Sequence, residues 1–302
     1  MSDTGETDAG SSDAGSSGAP SGYDDIPGLF VEIGSGADAG IATVTIDSPP
    51  INLFTVGLFL HTATLAQQLA ADPAVRVVVL RSANPEFFIA HFDVAAILTF
   101  PTDSPMPTEL NAYHQMCEAF RTMPKATIAV IEGRVGGGGS ELALSFDMRF
   151  AALPSDDHPG AVFSQPEVAL GILPGGSGTA RLPRLIGRSR ALEVILGCDD
   201  VDARTAEAWG WVNRALPPDE LWPFVHRLAR RIAGFPPHAV AAAKAAVVRA
   251  EKGVEEDLLL EGGAFNGTLG GPGTRRAMER FLELGGQTRD GELRLGELAG
   301  DL

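Results

Sequence analysis

The sequence predicts an α/β core followed by a helical C-terminal region. Three observations carry that reading. Residues 1–25 are almost entirely Gly, Ser, Ala, Thr and Asp; short β-branched runs then alternate with helix-compatible segments; and only helical patterns follow residue 217. The expected divisions are a disordered acidic Gly/Ser-rich tail over 1–27, an α/β core over 28–217 and a helical C-terminal region over 218–302.

The tail carries one aromatic, Tyr23, too little apolar area to offset the entropy of ordering. Order is expected from about Leu29. Phe30-Val31-Glu32-Ile33 and Ile41-Ala42-Thr43-Val44-Thr45-Ile46 suit two strands joined by a Gly-rich turn. Residues 56–71 suit a helix that stops before Asp72-Pro73, and residues 75–80 a strand buried on both faces. A helix over 108–122, a buried strand over 127–131, a helix opening at Ser140 after a Gly run and a strand over 147–152 continue the alternation. Helices near 219–234, 237–251, 254–269 and 273–284 close the chain, with Leu258-Leu259-Leu260 and Phe265 spaced for burial against a neighbouring subunit.

Charge excludes some partners. No Lys or Arg precedes Arg76, while ten acids do, so most of the net charge of −16 lies in the first quarter. Such a surface repels phosphate backbones, which argues against nucleic acid. No stretch is long and apolar enough to span a membrane, and the N-terminus lacks the basic start and apolar run of a secretory signal. Cys117 and Cys198 are too few for a disulfide framework and show no metal-ligand spacing, so a cytoplasmic location is expected.

Three segments carry chemistry. Gly136-Gly137-Gly138-Gly139 permits a tight turn and exposes backbone amides at a helix start, without the Lys-Ser/Thr ending of a phosphate loop. In Phe87-Phe88-Ile89-Ala90-His91-Phe92-Asp93, Asp93 is placed to cap a helix from Val94. In Phe163-Ser164-Gln165-Pro166-Glu167, apolar neighbours favour burial of Glu167, which would raise its pKa toward the range useful for proton transfer.

In this order, with Ile51-Asn52-Leu53 ahead of them and Leu173-Pro174-Gly175-Gly176 behind, these segments resemble the crotonase (enoyl-CoA hydratase/isomerase) superfamily from about Leu29 to Leu216. The resemblance implies a spiral of ββα units with C-terminal helices that pack as a homotrimer or dimer of trimers. It implies an oxyanion hole from the Phe92 and Gly138 N–H groups, each donor worth about 3–4 kcal/mol. It implies that Glu141 and Glu167 share the work of deprotonating water and exchanging the α-proton. Ala90, His91, Asp93, Gly137, Pro166 and Gly175 would line the substrate, Gly175 helping to position water. A coenzyme A thioester is then the substrate, with no metal and no redox cofactor.

The chain departs from the family pattern in four places. His91 stands where relatives usually have Gly, beside a bulky Phe92; a hydrogen bond within its loop is the expected role of His91. Residues 154–160 are extra, and their Asp156-Asp157-His158 suits a solvated loop better than a metal site. Asp47-Ser48-Pro49-Pro50 and Val94-Ala95-Ala96 lack the cations that meet CoA phosphates, a gap that Arg275, Arg276 or Arg280 of a neighbouring subunit would fill. The last helix is followed by Gly285-Gly286-Gln287-Thr288-Arg289 in place of a basic cluster. The retained glutamate pair favours an enoyl-CoA hydratase. The alternatives are an isomerase or acyl-CoA hydrolase on the same scaffold, or a weakly catalytic thioester-binding or assembly protein.

Overall fold

The computed structural model describes Tyr23 and residues 26–302. β1 (Leu29–Ile33) pairs antiparallel with β2 (Ile41–Ile46), and α1 (Val56–Ala71) follows, capped by Thr55. Three two-strand units come next, and each sends its second strand into a second sheet. The first is β3 (Val77–Ser82) and β4 (Phe87–Ile89), followed by α2 (Val94–Ile97) and α3 (Ala112–Thr122). The second is β5 (Ala126–Ile131) and β6 (Arg134–Gly136), followed by α4 (Gly137–Leu144). The third is β7 (Met148–Ala152) and β8 (Val162–Ser164), followed by a 3-10 turn at Glu167–Leu170 and by α5 (Gly178–Ile186).

After α6 (Arg188–Gly197), β9 (Val201–Asp202) returns to the small sheet; after α7 (Ala203–Trp209), β10 (Arg214–Leu216) returns to the large one. The large sheet runs β1-β2-β3-β5-β7-β10, parallel from β2 onward, and the small one β4-β6-β8-β9. This is the expected spiral of ββα units. Six more helical segments complete the chain: α8 (Pro218–Ala233), α9 (Pro237–Ala250), α10 (Val254–Leu269), α11 (Thr274–Glu283), α12 (Arg289–Glu292) and α13 (Leu295–Gly300).

The core follows from periodicity. β3 is buried on both faces, as its unbroken Val-Val-Val-Leu run requires. Val77 and Val79 pack toward Leu221, Val225, Ala229 and Ala233, an i+4 stripe of α8, while Val78 and Leu80 pack toward Leu65 and Leu69 of α1 and Phe120 of α3. Each fully buried Leu or Val contributes about 1.5–3 kcal/mol.

Several expectations are corrected. The expected lack of packing over residues 1–25 lies outside the described residues except at Tyr23, which is buried and donates its hydroxyl to Asp72 Oδ2 at 2.6 Å; packing therefore reaches back beyond Leu29. The helix expected from residue 108 starts at Ala112, where the Asn111 side chain accepts from His114 N, and α4 starts at Gly137 rather than Ser140. Leu258 is buried against Val254 and Ala180 of its own chain, and Phe265 lines a cavity of its own chain, so neither is held in reserve for a neighbour, whereas Leu260 is exposed.

Candidate active site

The opening loop sets the first wall. Asn52, held at φ 50°, donates through Nδ2 to Ser82 Oγ (2.7 Å) and to the Phe88 carbonyl (3.1 Å), which ties the loop to β4. Phe54 then bridges the segment after β4: its N–H donates to the His91 carbonyl at 2.9 Å, and its carbonyl accepts from Asp93 N at 3.2 Å. Ala90 N donates to the Ile51 carbonyl. The amides around Phe92 are thus engaged, while among the described residues the Phe92 N–H has no acceptor. Asp93 caps α2 as expected, its Oδ1 accepting from Ala95 N at 2.9 Å.

The Gly run supplies the second wall. Gly138, in the first turn of α4, likewise has no acceptor for its N–H among the described residues. A methyl group placed on its α-carbon would lie 3.2 Å from Phe92 Cβ and 3.0 Å from the Tyr113 hydroxyl. The two open amides therefore come from residues in direct apposition, at a helix N-terminus that favours negative charge. Tyr113 donates to the Gly138 carbonyl at 2.5 Å and stacks on Phe59 with centroids 5.5 Å apart. Gly137, at φ 45°, fits a conformation that a side chain would strain, and its bare backbone separates His91 from Glu167.

The two carboxylates complete the wall. Glu141 projects from α4 and is buried; its Oε1 accepts from Gly176 N and Gly178 N, both at 2.8 Å. Its carboxyl is held well above the ordinary carboxylate range, first by burial and then by the nearby charges of Glu167 and Glu261. Glu167, 8% exposed, opens the 3-10 turn after β8 and accepts from Gln165 Nε2 at 3.3 Å through each oxygen. Burial pushes it up to about 7, against hydrogen bonds and the His91 charge that favour its ionised form. The burial expected of Glu167 from its apolar neighbours is therefore present. Glu261, reaching across from α10, accepts from Ser177 N (2.6 Å), Ala180 N (3.0 Å) and the Thr179 hydroxyl. One helix N-terminus, that of α5, thus feeds two carboxylates.

These groups face a cavity of about 380 Å³ whose wall is mostly apolar, with Phe59, Phe92, Phe100, Tyr113, Phe265 and Phe281 contributing aromatic rings. His91, Phe92, Gly137, Gly138, Glu141, Pro166, Glu167 and Gly175 all line it. Two residues expected at the substrate do not. Ala90 packs on Ile51 and Phe87, and Asp93 has its carboxylate engaged by α2 and by Gln287 Nε2. The 154–160 segment is an exposed loop off the cavity wall, and His158 accepts from Gly160 N within it.

Arg275 was expected to act from a neighbouring subunit, but its guanidinium donates to the Leu98 carbonyl just after α2 of its own chain; Arg276 and Arg280 face Glu283. Sequence reasoning missed Tyr113, Glu261 and Glu292. Nothing in their local sequence distinguishes them from ordinary helix residues.

A family model described as enoyl-CoA hydratase/isomerase matches residues 36–287. A crotonyl-CoA hydratase of Syntrophomonas wolfei is 35% identical over 217 residues, covering 70% of this chain and 79% of the relative. A crystal structure of a Streptomyces avermitilis protein assigned to the enoyl-CoA hydratases superposes with a TM-score of 0.80 at 37% identity, covering 91% of this chain and 97% of that one. An enoyl-CoA hydratase structure from Mycobacterium avium subsp. paratuberculosis gives 0.72 at 25% identity, with 84% and 98% covered. No described helix is long and apolar enough to cross a membrane.

Proposed function

The chain belongs to the enoyl-CoA hydratase/isomerase family, and on that premise we propose that it adds water across the double bond of a 2-enoyl-CoA thioester. The observation that carries this reading is a pair of buried glutamates, Glu141 and Glu167, on the wall that also presents the open Phe92 and Gly138 amides. In the proposed step the thioester carbonyl oxygen accepts from both N–H groups. Water adds at the β-carbon while one glutamate takes its proton; the electron pair of the double bond passes to the α-carbon and carbonyl as an enolate; the other glutamate delivers a proton to the α-carbon. Two fixed donors stabilise the enolate more than the ground-state carbonyl, which is what lowers the barrier. The sum is H and OH added across one bond. The reaction is redox-neutral, and the thioester is substrate rather than cofactor.

The same proposal places the protein in the cytoplasm as a homotrimer or dimer of trimers. Supporting the assembly, α9 buries none of its residues within the chain, and Phe235 and Val247 beside and on it are exposed.

A panel of 2-enoyl-CoA thioesters, followed by loss of conjugated-thioester absorbance, tests the reading. E141Q and E167Q should each cut kcat by about 10²–10⁴-fold. The double variant should be little worse than either, because the two groups serve one step. An isomerase would instead depend on one glutamate alone. If neither substitution slows any enoyl thioester, the hydratase reading fails.

A further inference from the structure

Two of the departures from the family pattern meet in space: His91, and residues 285–289, whose turn runs on to Glu292. His91 Nε2 lies 2.9 Å from Glu292 Oε1, and its Nδ1 lies 2.8 Å from the Phe92 carbonyl oxygen. The same Glu292 oxygen accepts from Gln287 N at 2.7 Å, and Gln287 Nε2 donates to Asp93 Oδ1 at 2.8 Å. The residues on both sides of Phe92 are therefore gripped by one C-terminal turn about two hundred residues away in sequence.

Each ring nitrogen of His91 faces an oxygen, and the Phe92 carbonyl can only accept. A neutral imidazole carries one N–H, so a ring that donates on both sides is an imidazolium with Glu292 as its carboxylate partner. Electrostatics agree. Burial alone would lower the His91 pKa, yet the Glu292 charge pushes it up to about 9; burial alone would raise Glu292, yet His91 holds it below the ordinary carboxylate range.

The imidazolium also lies beside Glu167. A methyl group on Gly137 would sit 3.1 Å from His91 Cβ and 2.9 Å from Glu167 Oε1, so only bare backbone keeps the two side chains apart. Around His91 stand Glu292 of α12, Glu167 of the 3-10 turn and the uncharged Phe281 ring of α11; Arg134 of β6 acts on Glu292 from behind. Around Glu167 stand His91, Glu141 of α4 and Glu261 of α10, with Cys198 at the end of α6. His91 is the cation in that set. Glu141 feels two like charges, those of Glu167 and Glu261.

We infer that His91 and Glu292 are positioning residues: the clamped imidazolium fixes the Phe92 peptide and favours the ionised form of Glu167. The inference rests on the hydratase reading for its consequence, namely that the charge on His91 sets the pH at which Glu167 titrates during turnover.

Imidazole ¹⁵N spectra of the wild-type enzyme across pH, with the His91 signal identified by its loss in H91N, test the clamp without substrate. Both ring nitrogens should stay protonated until about pH 9; a neutral His91 at pH 7 would overturn the inference. E292Q keeps an oxygen for the Gln287 amide but removes the counter-charge. Its His91 should be neutral at pH 7–8. The ¹³C titration of the Glu167 carboxyl, and the limb of the kcat/KM profile for a 2-enoyl-CoA that follows it, should then move alkaline together by about one pH unit. A structural role alone would lower the plateau and leave the limb in place, and an unmoved Glu167 titration beside a discharged His91 would refute the tuning. Should E292Q not fold, the wild-type ¹⁵N titration still decides the matter. If no enoyl-CoA is turned over, the hydratase reading fails while both titrations still report on the clamp.

Discussion

Replacing Glu167 with Gln should make the protein more stable and less active, and the gain in stability should depend on pH. Burial lifts the Glu167 carboxyl from its ordinary 4.5 to about 7. A carboxyl raised in the folded state holds its proton while the unfolded chain gives it up, so ionisation opposes folding increasingly as pH climbs from 4.5 to 7. Above pH 7 the penalty levels at about 3 kcal/mol, from 1.36 kcal/mol per pH unit. At pH 5 linkage leaves under about 1 kcal/mol, and by pH 4 almost nothing. Gln has the volume of Glu and still offers an oxygen to Gln165 Nε2, so no cavity offsets the gain. Denaturation of wild type and E167Q at pH 4, 5 and 8 measures it, with a difference in Tm on the order of 5 °C expected at pH 8. Turnover of an enoyl thioester should fall by about 10²–10⁴-fold in the same variant. A gain of equal size at pH 4 and pH 8, or a loss at pH 8, would show that burial does not strain this carboxyl, and with it the case for a proton-transfer role would weaken.

Other perturbations separate the remaining parts. G138A puts a methyl 3.2 Å from Phe92 Cβ, into the space between the open amides, and should cut kcat about 10²-fold with little change in Tm, read by steady-state kinetics and calorimetry. Y113F removes the 2.5 Å donor to the Gly138 carbonyl, which keeps its helical partner within α4, and should cost about 0.5–1.5 kcal/mol of stability in denaturant titrations. CoA thioesters should gain little in kcat/KM over the matching pantetheine thioesters, because the opening loop and the start of α2 carry no cation; any CoA preference should fade with salt and fall further in R275Q, whose parent side chain sits by Leu98.

What the sequence revealed followed physical range. Long β-branched or amphipathic runs such as β3, α1 and α8 declare themselves because every residue in them samples the same environment. The strands of the small sheet are two or three residues long, too short for any period, so β4, β6, β8 and β9 were invisible. α5 carries Pro183 in its interior and is entered through Ser177 at φ 107°, both of which argue against a helix locally; the two carboxylates on its first amides are what hold it. Glu141, Glu167, Phe92 and Gly138 were legible because each lies in a motif whose order could be matched. Tyr113, Glu261 and Glu292 lie in none. Tyr113 reaches the cavity itself, whereas Glu261 and Glu292 reach only the groups behind its wall, Glu292 from 201 residues beyond His91.

That pattern changes the standing of the C-terminal region. Read from sequence, residues 218–302 form an appendage suited to assembly. In space, α10 gives Glu261 to the first turn of α5 and Phe265 to the cavity, α11 gives Phe281, and α12 gives Glu292 to His91. The α/β core supplies the open amides and the two glutamates, whereas the C-terminal helices supply much of the apolar wall and the charges that bias those glutamates. A carboxyl placed in an apolar site tends simply to stay protonated. A buried pair useful for acid–base work needs one member kept ionised, and the only cation beside Glu167 among the described residues is an imidazolium whose counter-ion comes from α12. The proton inventory of the site is therefore a property of the core and the C-terminal helices together.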